Sequence, residues 1–140
     1  MNKKFSVYLN NKINKFNKTI YVEGDKSISH RSLMIASQCM GISSIKGILE
    51  SEDIDNTINC LKALGVRILK KNKSYLVYGN GLGSFRKPSK KNLYCGNAGT
   101  LVRLLSGLLT TSNFKTKLTG DKSLKKRPMK RIIDPLFDLS

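Results

Sequence analysis

Acidic residues are scarce in this chain. Nine Asp and Glu stand against 26 Lys and Arg, a formal net charge of +17 at pH 7. Such an imbalance points to anionic partners: nucleic acid, a membrane surface, or small phosphorylated or carboxylated molecules. An excess of Asn, Lys and Ile also lifts the basic count, so many lysines need be no more than solvated surface. Histidine occurs once, and the three cysteines (Cys39, Cys60, Cys95) are far apart with no CxxC pair. These spacings make no metal site, and the apolar surroundings of the cysteines suit reduced, mostly buried thiols of a cytosolic protein. Long apolar runs are missing too. The basic start Met1-Asn2-Lys3-Lys4-Phe5 leads into no apolar core of signal length, and no window reaches membrane-spanning length, so nothing points to export or to a membrane. Aromatic residues make up 7% of the chain. They are not interleaved with basic residues as a base-stacking platform requires, and no helix-turn-helix pattern occurs, which argues against a nucleic-acid partner.

What is present is periodic. The 140 residues have the size of one ordinary domain, and 39% are apolar. Alternation at Phe5, Val7 and Leu9 suggests a short strand, residues 10–18 a loop, and Thr19–Glu23 a second strand. A helix is expected from about Ser29 to Met40, stopped by Gly41. A strand over 42–48 comes next, then a helix from Ser51 with the stripe Ile54, Ile58, Leu61 and Leu64, stopped by Gly65. Val66–Lys70 and Tyr75–Tyr78 read as a hairpin. The order is β-α-β-α-β-β. After a loop rich in Gly, Ser and Lys the pattern restarts: strand Leu93–Cys95, a helix Thr100–Leu109 apolar nearly all round and so expected to be buried, strand Phe114–Thr119, and a helix from Arg127 that Pro135 should kink or shorten. This α/β reading amounts to one complete βαβαββ unit and about two thirds of a second. The second is left with an exposed sheet edge and helix face, as at the front of a longer protein. Residues 1–18 then belong to another, mostly missing domain, and 19–140 form an incomplete one.

Three strand-to-helix turns share one arithmetic. Gly24-Asp25-Lys26-Ser27 is echoed by Gly120-Asp121-Lys122-Ser123, and each glycine is followed seven residues later by an arginine, Arg31 and Arg127. The middle turn, Gly96-Asn97-Ala98-Gly99-Thr100, has Arg103 at the same offset. Free helix N–H groups, the positive helix end, hydroxyls and fixed cations together describe an anion site. If the three turns share one end of the domain, their cations converge. Plainer readings stand beside this one. Glycine at such a turn answers to backbone geometry. Arg103, in an apolar helix, is either a buried ion-pair partner or a ligand group. Lys125, Lys126, Lys130 and Arg131 fit a solvated face, His30 a local hydrogen bond, and Asn97 a helix cap.

The runs GDKSISHRSLMIAS, CGNAGTLVRLLSGLL and LTGDKSLKKRPMKRIIDPL resemble, in order, segments of the 5-enolpyruvylshikimate-3-phosphate synthase (EPSP synthase) family, and LESEDIDNTINCLKALGVRI between them does as well. The related UDP-N-acetylglucosamine enolpyruvyl transferase shares the fold but should lack this form of the Lys-Ser-x-x-x-Arg run. The resemblance implies two domains of repeated βαβαββ units. It also implies transfer of the enolpyruvyl group of phosphoenolpyruvate to the 5-hydroxyl of shikimate 3-phosphate by addition and then elimination of phosphate. No cofactor, metal, nucleic acid or membrane is implied, and the full-length form is expected to be monomeric. By position, Lys26 is the candidate catalytic residue and touches both substrates. Ser27 and Arg31 hold shikimate 3-phosphate; Asn97, Gly99, Thr100 and Arg127 hold phosphoenolpyruvate, with Arg103 beside them. Glycine at 99 is also what admits the inhibitor glyphosate in that family.

Two departures stand out. Glu23 occupies the place where the family usually has proline, beside the anion turn. The family's later motifs, among them its serine-rich phosphate-binding segment and the cations of the facing domain, are absent from these residues. A non-catalytic anion-binding remnant and a basic nucleic-acid-binding protein stay open as other readings. The 140 residues alone are expected not to turn over substrate. Phosphate release above background from the pure chain, supplied with both substrates, would refute that.

Overall fold

The computed structural model describes Tyr8, Lys15 and residues 17–138. Apart from Tyr8, the strand expected at 5–9 lies outside the described residues, as does most of the loop at 10–18. Helix α1 (Lys26–Gln38) starts earlier than the apolar spacing alone suggests. The cause is Asp25, whose carboxylate accepts the Ile28 N–H at 2.7 Å and so caps the first turn. Upstream of it, the strand expected at Thr19–Glu23 does not form. Among the described residues no strand pairs with this segment, and Tyr21 and Val22 are 92% and 86% exposed. Strand propensity without a partner edge leaves the backbone to water.

Helix α1 ends where Cys39 turns extended, so Met40 and Gly41 belong to the next strand and not to the helix end and its stop. Strands β1 (Met40–Lys46), β2 (Arg67–Lys71) and β3 (Ser74–Asn80) form an antiparallel sheet in the order β1-β3-β2. The β2–β3 hairpin turns at Asn72, whose φ of 53° suits an asparagine in the left-handed region. Helix α2 (Glu52–Ala63) buries its expected stripe: Ile54, Ile58, Leu61 and Leu64 are at most 7% exposed. Helix α1 packs on both β3 and α2. The first unit is therefore the expected one without its opening strand.

The second unit comprises β4 (Asn92–Tyr94), α3 (Gly99–Leu109), β5 (Lys117–Thr119), a short α4 (Lys122–Lys125) and α5 (Lys130–Asp138), with β4 and β5 paired in parallel. Burial corrects one expectation here. Of α3 only Gly99, Leu101 and Leu105 are buried, while Leu104 is 38% exposed. One face meets α1 and the core, α5 touches the helix as well, and Leu104 and Gly107 are left exposed. Helix α4, capped by Asp121 (Leu124 N–H to Oδ1, 2.6 Å), takes residues that sequence spacing left unassigned, and α5 starts later than Arg127. Pro135 does not end α5, which runs on to Asp138. The cysteines divide: Cys60 and Cys95 are buried, Cys39 at the end of α1 is exposed. A hydrogen bond with Cys60, together with burial, pushes the Cys95 thiol well up, so it stays protonated and inert.

His30 is 0% exposed and ties α1 to α2. Its Nδ1 lies 2.7 Å from the Thr57 hydroxyl, which itself donates to the Asp53 carbonyl at 3.1 Å. A carbonyl only accepts and a hydroxyl has one proton, so the imidazole is the donor, through Nδ1–H. Nε2 has no partner among the described residues. Burial holds the imidazole below its ordinary pKa, against the pull of Asp53 and with a further push from Lys26. The unfolded chain thus binds the proton more tightly. This group favours folding fully above the unfolded value of 6.5 and loses that contribution as pH falls through the lower folded value, at up to about 1.4 kcal/mol per pH unit in that window. Urea denaturation at pH 7.5 and 5.5 should therefore show wild type losing stability that His30→Asn keeps. Equal losses in the two proteins would overturn the assignment.

Candidate anion-binding site

The first turn is set by close packing. A Cβ on Gly24 would run into the Gly47 carbonyl, so only glycine lets the entry to α1 lie against the β1–α2 connection. Ser29 locks the same contact: its hydroxyl donates to the Asp25 carbonyl at 2.7 Å and accepts the Leu49 N–H at 3.0 Å. Lys26 sits at the start of α1, half-exposed, and its ammonium is ion-paired with the Asp53 carboxylate on the first turn of α2. Ser27 is partly buried beside it. Arg31, one turn on, is exposed and borders the groove formed with Leu82, Leu104 and Leu108.

The other two turns abut because β4 and β5 are parallel neighbours. The Cys95 N–H donates to the Thr119 carbonyl (2.7 Å) and the Asp121 N–H to the Gly96 carbonyl (3.0 Å). From this platform Arg127 reaches back, and its Nη2 donates to Asn97 Oδ1 at 2.5 Å. A Cβ on Gly99 would stand 2.7 Å from Arg127 Nη1, so the guanidinium lies directly over the start of α3. That helix begins at Gly99 behind Ala98 with no side-chain cap; the Gly99 N–H donates to the Asn97 carbonyl at 3.0 Å, which leaves the Thr100 and Leu101 amides of the first turn to a ligand or water. Thr100 is partly buried in the same turn. Asn97 is therefore not a helix cap; its amide oxygen holds the arginine. Arg103 is partly buried, no acid pairs with it among the described residues, and its Nε has no partner.

Helix α2 joins the two halves. Asp53 points to Lys26, and Asn56, one turn later, stands against Gly96. The three turns consequently share one end of the fold, with Lys26, Asn97, Gly99 and Arg127 gathered there. Asp53 and Asn56 escaped sequence reasoning. Asp53 stands in the first turn of α2, where an acid is ordinarily explained by the helix dipole, and only its three-residue spacing to Asn56 on the polar side of α2 hints at more. His30 contacts Thr57, 27 residues away, so its bond is not the local one expected. An open cleft of about 910 Å3 lies at the opposite end of β4 and β5, lined by Phe85, Arg86, Lys87, Lys91, Phe114 and Lys115; none of the expected site residues borders it. Among the described residues no three His, Cys, Asp or Glu side chains gather as metal ligands, and no helix is long and apolar enough to cross a membrane.

Comparison with known proteins gives this arrangement its context. The profile of the family described as "EPSP synthase (3-phosphoshikimate 1-carboxyvinyltransferase)" matches residues 10–140. A protein of Oenococcus oeni named 3-phosphoshikimate 1-carboxyvinyltransferase is 49% identical over 88% of this chain and 28% of its own length. One of the same name from Thermoanaerobacter sp. (strain X514) is 51% identical over 84% of this chain and 27% of its own. The solved EPSP synthase of Acinetobacter baumannii superimposes with a TM-score of 0.81 at 42% identity, covering 86% of this chain and 27% of that one. The chain thus spans little more than a quarter of these relatives. With the family profile matching residues 10–140 and the fold superimposing on a solved member at 42% identity, the chain belongs to the EPSP synthase family.

Proposed function

We propose that this chain supplies one half of a 3-phosphoshikimate 1-carboxyvinyltransferase site. The reaction carries the enolpyruvyl group of phosphoenolpyruvate to the 5-hydroxyl of shikimate 3-phosphate and releases phosphate. It needs no cofactor. A proton adds to the methylene carbon of phosphoenolpyruvate while the 5-hydroxyl gives up its proton and its oxygen bonds to the neighbouring carbon; the tetrahedral adduct then loses phosphate from that carbon and a proton from the new methyl group, which restores the vinyl double bond. Both substrates carry several negative charges, so fixed cations and backbone donors are the groups that hold them in line. The observation that carries the reading is Arg127 held by Asn97 over the uncapped start of α3. A phosphate seated there meets helix amides on one side and a guanidinium on the other.

In this reading Asn97, Gly99, Thr100 and Arg127 bind phosphoenolpyruvate, with Arg103 behind them. Ser27 and Arg31 bind shikimate 3-phosphate. Lys26 lies between and touches both. Residues 1–18 belong to a facing domain that closes over 19–140, as a monomer in the cytoplasm, with small anions and neither nucleic acid nor membrane as partners. Heteronuclear NMR titration of the chain tests this. Shikimate 3-phosphate should shift the amides of residues 25–31 and phosphoenolpyruvate those of 97–101. Arg127→Ala should weaken phosphoenolpyruvate about tenfold or more and leave shikimate 3-phosphate unchanged. Gly99→Ala should act in the same direction by displacing Arg127. Shifts scattered over the lysine-rich surface, or tighter retention on single-stranded DNA than on either substrate, would sink the reading.

A further inference from the structure

The single histidine is not one of the groups proposed to bind substrate, yet it is among the most deeply buried polar groups of the fold. His30 and Thr57 are both 0% exposed. From them a continuous set of contacts runs outward: His30 Nδ1–H to Thr57 Oγ1 (2.7 Å), Thr57 O–H to the Asp53 carbonyl (3.1 Å), and the Asp53 carboxylate to the Lys26 ammonium. Exposure rises outward along this path: the side chain of Asp53 is 16% exposed and that of Lys26 52%.

We propose that His30 is a positioning residue for Lys26: it fixes Thr57, Thr57 fixes the first turn of α2, and Asp53 on that turn holds the Lys26 ammonium where an anionic substrate meets it. The inference rests on the reading of Lys26 as a substrate contact. A half-exposed Lys–Asp pair on its own has little preference for one geometry, because a long side chain loses rotamer freedom to make it. The pair holds one place only if the carboxylate does. A threonine hydroxyl can rotate away from the preceding carbonyl of its own helix. The imidazole prevents this, since with Nδ1–H occupying one side of the oxygen, the hydroxyl proton is directed to the Asp53 carbonyl. One contact 27 residues away in sequence thus sets the register between the starts of α1 and α2.

The alternative is a histidine that only strengthens the core. Four variants of the whole chain separate the two. His30→Asn keeps a donor at the Nδ1 position, whereas His30→Gln moves the donor to the Nε2 position, where nothing accepts it among the described residues. Thr57→Ser keeps the hydroxyl and Thr57→Val removes it. Reductive methylation of Lys26, followed by mass spectrometry on samples verified as folded, reports how firmly the ammonium is held without any ligand. The expected result is methylation about fivefold faster in His30→Gln and Thr57→Val, the size of one net hydrogen bond, with His30→Asn and Thr57→Ser close to wild type. Affinity for shikimate 3-phosphate should follow the same order. Equal Lys26 reactivity across all four, or His30→Asn behaving as His30→Gln, would overturn the inference even if melting temperatures fall. If wild type does not bind shikimate 3-phosphate, the functional reading fails, and the methylation arm still decides the role of His30.

Discussion

Two backbone hydrogen bonds, Cys95 N–H to Thr119 O and Asp121 N–H to Gly96 O, hold the second half of the site together. They extend the parallel pairing of β4 and β5 beyond the strands themselves. Parallel neighbours end on the same side, so the segments leaving their C-terminal ends start out side by side. Here those are the uncapped start of α3 and the segment leading to Arg127. The anion cradle is therefore a result of strand direction first and of side-chain identity second. An antiparallel pairing of the same two segments would have put Asn97 and Arg127 at opposite ends of the sheet.

Helix α2 has a comparable role for the first half. Its apolar stripe is sunk in the core and cannot slide without exposing Ile54 and Leu61. Its polar side is thereby fixed as well, and Asp53 and Asn56 face the first and second turns respectively. A helix whose buried face is crowded can present polar groups on its other side with little freedom, which a surface loop cannot do.

The elements visible in the sequence were those decided locally. The α2 stripe, the hairpin at Asn72 and the glycine turn that opens α3 with Arg103 on it depend on spacing within a few residues, and each formed where the spacing placed it; the Gly24 turn formed without the strand expected before it, and Arg127 lies between α4 and α5 rather than on a helix. What escaped was decided at a distance. Thr19–Glu23 has the composition of a strand, but a strand exists only beside another, and no partner edge lies among the described residues. The burial of α3 depends on its neighbours, which its own sequence cannot state. The candidate site divides in the same way. Lys26, Asn97, Gly99 and Arg127 sit in recognisable turns, whereas the Asp53 pair and the His30–Thr57 bond join residues 27 apart in both cases. Nothing in an aspartate at a helix start tells a dipole partner from a lysine's counter-ion until α1 and α2 are packed together.

Ile20, Tyr21 and Val22 belong to a larger set of exposed apolar side chains that also includes Leu82, Leu104 and Ile133 among the described residues. Surfaces of this kind adhere to one another, and a strand-prone segment with no partner strand is a template for doing so. The charge of +17 supplies a counterweight that has nothing to do with ligands: chains that repel at long range rarely bring such patches into contact. That colloidal protection depends on the ionic atmosphere. Its range is about 30 Å at 0.01 M salt and about 8 Å at physiological ionic strength. In dilute buffer the chain is kept apart by its lysines; in concentrated salt the same molecule presents its open apolar side chains.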